Sequence, residues 1–167
     1  MTNVYQERYL SHQNNKRLVL EKIIRDRHSN RIFSDKKIDD KIVLKLLDDI
    51  SYCPSSCNRK AIFTLVINDK DLKNLLGGVL VGGVGWIHRA SHIILVFADD
   101  AAYVAGDEIN FMPYIDAGII INQLYLSATD LKLKCCYVNP NVRKINSKHF
   151  KEVFGSKIFC GAFAIGL

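Results

Sequence analysis

Arg27-His28-Ser29-Asn30-Arg31 is a short polar stretch that follows an amphipathic segment and places two guanidiniums and a hydroxyl within five residues. In an extended segment, Arg27, Ser29 and Arg31 would direct their side chains to one face, because successive side chains alternate. Such a face suits a phosphate ester or another oxyanion. The alternative interpretation is a helix C-terminus that attracts basic residues, with Ser29-Asn30 forming the turn.

Pro54-Ser55-Ser56-Cys57-Asn58 is a second polar stretch, about one helix further along the chain. It follows a helical pattern and precedes a strand pattern. An ordinary loop of this kind uses Pro54 to stop the helix, while serine and asparagine side chains bond the backbone. No Gly-x-Ser-x-Gly sequence or partner histidine accompanies the serines, so the stretch does not favour hydrolase chemistry.

The hydrophobic periodicity predicts helices and strands in the order α, α, β, α, β, α, β, α, β, and hence a central mixed β-sheet with helices packed on it. The longest helical pattern opens at Pro113 and is apolar on nearly every side, which predicts a helix at the centre of the fold. The predicted helices cover 16–27, the segment after the N-cap Asp39 up to Ile50, 70–75, the pattern from Pro113, and 147–154; the strands cover 62–67, 93–98, 135–138 and 158–165.

Length and composition predict a single domain over residues 1–167, with residues 1–15 as a possible N-terminal arm. No apolar run is long enough to span a bilayer, so we expect no membrane partner. The N-terminus lacks the basic-then-apolar pattern of a signal peptide, which makes a cytoplasmic location the default expectation. Five cysteines, an odd number, then predict reduced thiols. No residue set has complete metal-ligand spacing, so we expect no metal.

The net charge of +6 is unevenly distributed along the chain. Residues 1–37 hold nine Lys/Arg against four acids, and residues 132–157 hold seven against one. A cationic surface built from both ends would attract nucleic acid, nucleotides or phosphorylated cofactors. The basic residues are scattered, and no helix-turn-helix, zinc-finger or RNP-type pattern accompanies them, so nucleic acid is disfavoured as a partner.

Together with Asp116-Ala117-Gly118 at the head of the long helix, the two polar stretches resemble the FMN-dependent nitroreductase family. The helix that continues through Leu131, followed by the strand 135–138, resembles the family's core helix and the strand that carries the loop beside the flavin. The resemblance covers roughly residues 20 to 166, in the right order.

This resemblance implies an α+β, nitroreductase-like fold and a homodimer with two FMN sites at its interface. It also implies reduction of a small electrophilic organic substrate, such as a nitro compound or quinone, by NADH or NADPH in a ping-pong mechanism. The chemistry would belong to the flavin, so no catalytic side chain is implied.

The same resemblance assigns cofactor-binding residues by position. Arg27 and Ser29, with His28 between them, match the phosphate-binding segment, and Arg31 matches the basic residue at the ribityl chain or the N1/O2 edge of the ring. The contacts from the opposite subunit match Pro54, Ser55, Ser56 and Asn58, and the backbone near N5 matches Tyr137, Val138 and Asn139.

Two alternatives stay open. One is a nitroreductase-like binding protein that has lost FMN turnover, which Lys60-Ala61-Ile62 favours because the family often has Gln-Pro-Trp there. The other is a basic nucleic-acid-associated module, which only the net charge favours.

Overall fold

A computed structural model of the protein describes residues 4–104 and 106–167; within the first helix, it describes side chains at residue 13 and from residue 16 onward. The order of elements along the chain is the predicted one. The helices are α1 (Val4–Asp26), α2 (Asp40–Ser51), α3 (Lys70–Val79), α4 (Glu108–Asp130) and α5 (Ser147–Phe154), and the strands are β1 (Ile62–Ile67), β2 (His92–Ala98), β3 (Lys134–Val138) and β4 (Ile158–Gly166).

The four strands form one sheet in the order β1-β2-β4-β3, and each neighbouring pair is antiparallel. The α+β class is confirmed, but the expectation of a mixed sheet needs correction. Strands β2 and β3, which α4 joins, do run parallel to each other, yet β4 lies between them. Helices and strands therefore alternate along the sequence although no two hydrogen-bonded strands are parallel.

Each face of the sheet carries its own hydrophobic core. Helices α2 and α4 cover one face, with Leu46 and Leu124 packed against strand residues such as Val96. Helices α3 and α5 cover the other face, with Leu76 and Phe150 packed beside Phe97 and its neighbours. Strand β2 is buried along its whole length because it lies in the middle of the sheet with both faces covered.

Helix α2 and strand β1 lie where the sequence predicted them. The Asp39 side chain accepts a hydrogen bond from the Lys41 N–H, which is the predicted N-cap. Three other boundaries differ by four residues or more. Helix α3 ends at Val79 rather than Leu75. Helix α1 begins at Val4 rather than Lys16, so most of the predicted arm is helical, while residues 1–3 lie outside the described part of the chain. A polar stretch offers no apolar repeat from which this helix could be recognised.

Helix α4 begins at Glu108, five residues before the proline that was expected to open it. Pro113 is the sixth helical residue and is buried. Its missing N–H breaks one intrahelical hydrogen bond, which a helix of 23 residues with one face on the sheet tolerates.

One side of α4 is not enclosed by the residues that the structure describes. Ala117, Leu124 and Ala128 face the sheet and are buried. Phe111 and Ile115 are 50% and 51% exposed. With Gly118 and Asn122, they form a stripe at helical spacing, which we call the α4 stripe. The prediction of a central helix therefore holds for only one side of α4 within a single chain.

The loop that follows α2 is tied to the first residue of α4 by an ion pair. Arg59 Nη1 donates to Glu108 Oε1 at 2.6 Å, and the two side chains are 22% and 23% exposed. Glu108 Oε2 also accepts the Val104 N–H at 2.8 Å. Hydrogen bonding to the Arg59 guanidinium, with help from the Val104 N–H, holds the pKa of Glu108 below its usual range.

Glu108→Gln should lower the free energy of unfolding near neutral pH, and the loss should shrink in acid. A carboxyl whose pKa is depressed by folding stabilises the fold above its unfolded pKa of about 4.3, and that contribution disappears as the pH falls through the folded value. Urea unfolding of wild type and variant from about pH 7 down to about pH 3 measures the difference. Glu152→Gln is the control, because that carboxylate is 57% exposed and its ion-pair distances are 3.8 and 3.9 Å. A loss for Glu108→Gln that is constant with pH would contradict the assignment.

Candidate functional site

The segment 27–34 leaves α1, bonds the outer edge of β3 and then reaches the end of β4. The Asn30 N–H donates to the Cys135 carbonyl at 2.8 Å, and the Ser34 N–H donates to the Leu167 carbonyl at 2.6 Å. The Asn30 side chain accepts the Ile32 N–H at 3.0 Å. The stretch after Arg27 is therefore a non-helical segment placed against an edge strand, as the first interpretation predicts. Arg27 itself follows the last turn of α1 and donates its N–H to the Ile23 carbonyl at 3.0 Å, as the second interpretation predicts.

Alternate side chains of this segment contact different parts of the protein. The Arg27 guanidinium lies over the Tyr125 ring, 5.2 Å from its centroid, and Ser29 Oγ lies 2.9 Å from Tyr125 Oη. The Arg31 guanidinium lies 5.8 Å from the centroid of Trp86. His28 donates from Nδ1 to the Asp26 carbonyl and, with Asn30, lines a separate groove of about 320 Å³ that includes Lys132 and Lys134.

The segment 80–91 between α3 and β2, which we call the Trp86 loop, brings the end of β3 close to Arg31. Trp86 Nε1 donates to the Gly82 carbonyl at 2.9 Å, and the Val81 N–H donates to the Asn141 carbonyl at 2.9 Å. A Cβ on Gly82 would lie 3.2 Å from a methyl of Val138, so glycine permits this close approach. Arg31 and the segment 139–141 thus adjoin this loop from two sides, with the buried side chain of Val138 beneath Gly82.

Tyr137 uses both its polar groups inside the protein. Its N–H donates to Tyr125 Oη and its hydroxyl donates to the Cys160 carbonyl, each at 2.7 Å. Burial is the main reason that the pKa of its hydroxyl is raised to about 12. Of the three residues at and after the end of β3 that the resemblance assigns to the flavin, Val138 and Asn139 are the ones that adjoin the Trp86 loop.

The segment 54–58 is fixed to a different part of α4. The Ser56 N–H donates to Asp116 Oδ1 at 2.9 Å, and the Tyr103 hydroxyl donates to Oδ2 at 3.1 Å. Asp116 is only 2% exposed, so these two donors satisfy a buried carboxylate. Burial and this hydrogen bond raise the pKa of Tyr103 well above its usual range.

Local side-chain contacts complete the shape of this loop. Ser55 Oγ accepts the Lys60 N–H at 2.9 Å. Cys57 and Asn58 have φ angles of 48° and 55°, a left-handed conformation that is costly for residues other than glycine. The bonds to Asp116 and Ser55 hold the strained backbone in place. Beside Pro54 a groove of about 500 Å³ opens onto the α4 stripe, lined in part by Tyr52, Ile115 and Asn122.

The two predicted segments contact opposite flanks of α4. Tyr125 and Asp116 are nine residues apart, which is about 13 Å along the helix axis and about half a turn around it. The α4 stripe lies between them. Within one chain, the structure therefore brings together 27–31, Trp86 and 138–139, and it keeps the segment 54–58 apart from them.

Tyr125 is the site residue that sequence reasoning missed. It contacts Arg27, Ser29 and Tyr137, yet in the sequence it is one aromatic residue among the apolar residues of α4. Its hydroxyl was the one available signal, because a tyrosine in an apolar helix needs a hydrogen-bond partner.

The described residues contain no group of three or more His, Cys, Asp and Glu side chains that could hold a metal ion. No helix among them is long and apolar enough to cross a membrane. All five cysteines are free, and Cys57 alone is exposed.

Solved structures share this fold. A protein from Desulfovibrio desulfuricans solved in complex with FMN is 26% identical with a TM-score of 0.74, over 88% of this chain and 84% of that chain. An FMN-dependent nitroreductase from Clostridium difficile R20291 is 20% identical with a TM-score of 0.74, over 86% and 84%. A nitroreductase family protein from Clostridium novyi NT is 19% identical with a TM-score of 0.74, over 89% and 84%.

No curated protein sequence matches the chain. The model of the nitroreductase family, in contrast, matches residues 24–82 and 80–166, which together span most of the chain. These ranges include both polar segments, the Trp86 loop, α4 and the end of β3. The chain therefore belongs to the nitroreductase family.

Proposed function

We propose that the protein is an FMN-dependent oxidoreductase that uses NADH or NADPH to reduce a small electrophilic organic substrate, such as a nitro compound or a quinone. The observation that supports this most directly is the arrangement of Arg27, Ser29 and Arg31 beside the Trp86 loop. The FMN complex of the Desulfovibrio relative adds support.

The donor groups at this surface fit FMN. Arg27 and Ser29 offer a guanidinium and a hydroxyl to a phosphate, and charge-assisted hydrogen bonds of this kind are strong. Arg31 lies further along the segment, where it would reach the ribityl chain or the N1/O2 edge of the ring. The backbone of Val138 and Asn139 lies across the Trp86 loop from it, and we assign it to the neighbourhood of N5. His28 faces the other groove, so its part would be to shape the segment.

The second half of each site would come from a partner subunit. Pro54, Ser55, Ser56 and Asn58 contact the flank of α4 opposite Tyr125, so one chain cannot close both segments around one flavin. In the homodimer that we propose, the α4 stripes of the two chains pack together and the segment 54–58 of one subunit lies beside the Tyr125 flank of the other. It would also bury Phe111 and Ile115, which favours association.

When bound, FMN would supply hydride transfer, the chemistry that side chains lack. The protein's own groups would control the reduction of the flavin and its access to water and substrate. A guanidinium at the N1/O2 edge stabilises the negative charge that reduction leaves there. The partner's loop would exclude water from the ring and leave room for one small substrate at a time, as a ping-pong mechanism requires.

The binding protein without turnover is the second candidate, and the position of Lys60 favours it. Lys60 Nζ donates to the carbonyls of Ser51 and Cys53 at 3.1 and 2.5 Å, so its charge is used at the end of α2. Its φ angle of 51° is left-handed as well. Lys60 thus stabilises the loop after α2. A measurement of flavin reduction distinguishes the two candidates.

Arg27→Ala should weaken FMN binding by about ten- to a hundredfold, because it removes a charge-assisted bond to the phosphate. Trp86 is the single tryptophan of the chain and lies at the site, so its fluorescence should fall as apo-protein is titrated with FMN. Arg25→Ala, which removes an exposed guanidinium from the last turn of α1, is the matched control and should bind normally. Equal affinities for the two variants would place the phosphate elsewhere.

Ile115→Glu should convert the dimer into a monomer and abolish tight FMN binding, because it places a charge in the centre of the α4 stripe. Obligate interfaces commonly bury more than about 2,000 Å², so wild type should sediment as a dimer. Ile145→Glu is the control, since Ile145 is 91% exposed and lies outside the stripe. A wild-type monomer that binds FMN tightly would exclude the shared site.

Arg31→Gln should lower the reduction potential of the bound flavin and slow its reduction by NADH or NADPH, because it removes the positive charge near the N1/O2 edge. Anaerobic mixing, followed by visible absorbance, measures the rate, and a redox dye equilibrated with the protein measures the potential. An unchanged potential would assign Arg31 a structural role. Wild-type FMN that no nicotinamide reduces would favour the binding protein.

A further inference from the structure

Tyr125 lies where α4, β3 and the segment 27–31 meet. Its hydroxyl oxygen is 2.9 Å from Ser29 Oγ and 2.7 Å from the Tyr137 nitrogen. The Arg27 guanidinium stacks on its ring, and the ring meets Phe163 edge-on, with centroids 4.9 Å apart. One side chain therefore contacts both phosphate-binding residues that the family resemblance predicts.

The direction of the two hydrogen bonds follows from the groups present. The Tyr137 N–H can only donate, so Tyr125 Oη accepts from it. Ser29 Oγ is the acceptor that the described residues offer to the hydrogen of the Tyr125 hydroxyl. If Ser29 donated instead, that hydrogen would turn to solvent, since Ser29 is exposed. Donation from Tyr125 to Ser29 is the arrangement in which both hydrogen bonds of the Tyr125 hydroxyl lie within the protein.

This direction leaves the hydrogen of the Ser29 hydroxyl free. Burial raises the pKa of Tyr125, so its hydroxyl remains a donor at neutral pH. Ser29 accepts from Tyr125 and can donate to a ligand oxygen, while the ring of Tyr125 restricts the Arg27 guanidinium. Both donors are prepared before a ligand arrives, which reduces the entropy cost of binding.

We infer that Tyr125 is a positioning residue that orients Ser29 and Arg27 toward a phosphate monoester, and so makes the site select phosphorylated flavin over flavin without a phosphate. This inference rests on the proposed function. It concerns the series of hydrogen bonds that links the Tyr137 N–H, through the hydroxyls of Tyr125 and Ser29, to an oxygen of the ligand. A residue that served packing alone would affect both flavins equally.

The test compares FMN with riboflavin, which lacks the phosphate, in wild type and Tyr125→Phe. The phenylalanine ring keeps the contacts with Phe163 and Arg27 and removes only the hydroxyl. FMN affinity should fall about three- to tenfold, the loss typical of one neutral hydrogen bond, and riboflavin affinity should not change. Trp86 fluorescence reports both titrations.

Two further variants complete the experiment. Tyr114→Phe removes a hydroxyl from an exposed residue of the same helix and should leave the FMN-to-riboflavin ratio as in wild type. Ser29→Ala should lower that ratio, and adding Tyr125→Phe to it should cause little further loss, because the two residues act in one chain. If Tyr125→Phe does not fold, the FMN-to-riboflavin affinity ratio of Ser29→Ala still decides whether this series of hydrogen bonds ends at the phosphate.

The possible results separate the two proposals. A Tyr125→Phe variant with normal FMN affinity, or with equal losses for FMN and riboflavin, would overturn this inference and leave the proposed function standing. Additive losses in the double variant would also overturn it. Wild-type protein that binds neither flavin would overturn the proposed function and this inference together.

Discussion

Half a turn of α4 separates the two polar side chains on which the candidate site depends. Tyr125 holds the segment 27–31 through its hydroxyl and ring, and Asp116 holds the segment 54–58 through the Ser56 N–H. The rotation of the helix then decides which parts of the protein can meet one ligand. With the buried side of α4 on the sheet, the two flanks face away from each other and the apolar α4 stripe fills the surface between them. A second copy of the chain is the simplest way to bring opposite flanks together.

The cost of burying Asp116 explains why its loop has a defined shape. A carboxylate that is almost fully buried needs hydrogen-bond donors, and here it has the Ser56 N–H and the Tyr103 hydroxyl. The Arg59 guanidinium, which pairs with Glu108, lies near Tyr103 as well. Removing any one of these groups would leave another unsatisfied, so the network stabilises one loop conformation against its alternatives. That constraint offsets the left-handed φ angles of Cys57 and Asn58.

The elements that periodicity predicts well are those whose packing is local to one surface. Helix α2 has a capping aspartate and one apolar stripe, and β1 has a run of β-branched residues, so both follow from the sequence. The sequence misplaces the start of α4 because proline is common in the first turn of a helix, whereas Pro113 lies inside this one. Within the candidate site, alternation predicted where Arg27 and Ser29 point. The separation of Pro54 from them could not be predicted, because it depends on the rotation of α4 in three dimensions, and Tyr125 was hidden within an apolar pattern.

An incompletely paired strand edge gives the site its donors. Strand β3 is the last strand of the sheet, and exposed edges of this kind are usually covered or blocked. The covering segment 27–34 bonds β3 at Asn30, and its side chains on either side of Asn30 remain available. The neighbouring Tyr137 N–H, which another strand would otherwise receive, instead donates to Tyr125. The edge N–H is thereby linked through the Tyr125 hydroxyl to the Ser29 hydroxyl, beside the Arg27 guanidinium, where an oxyanion is the complementary ligand.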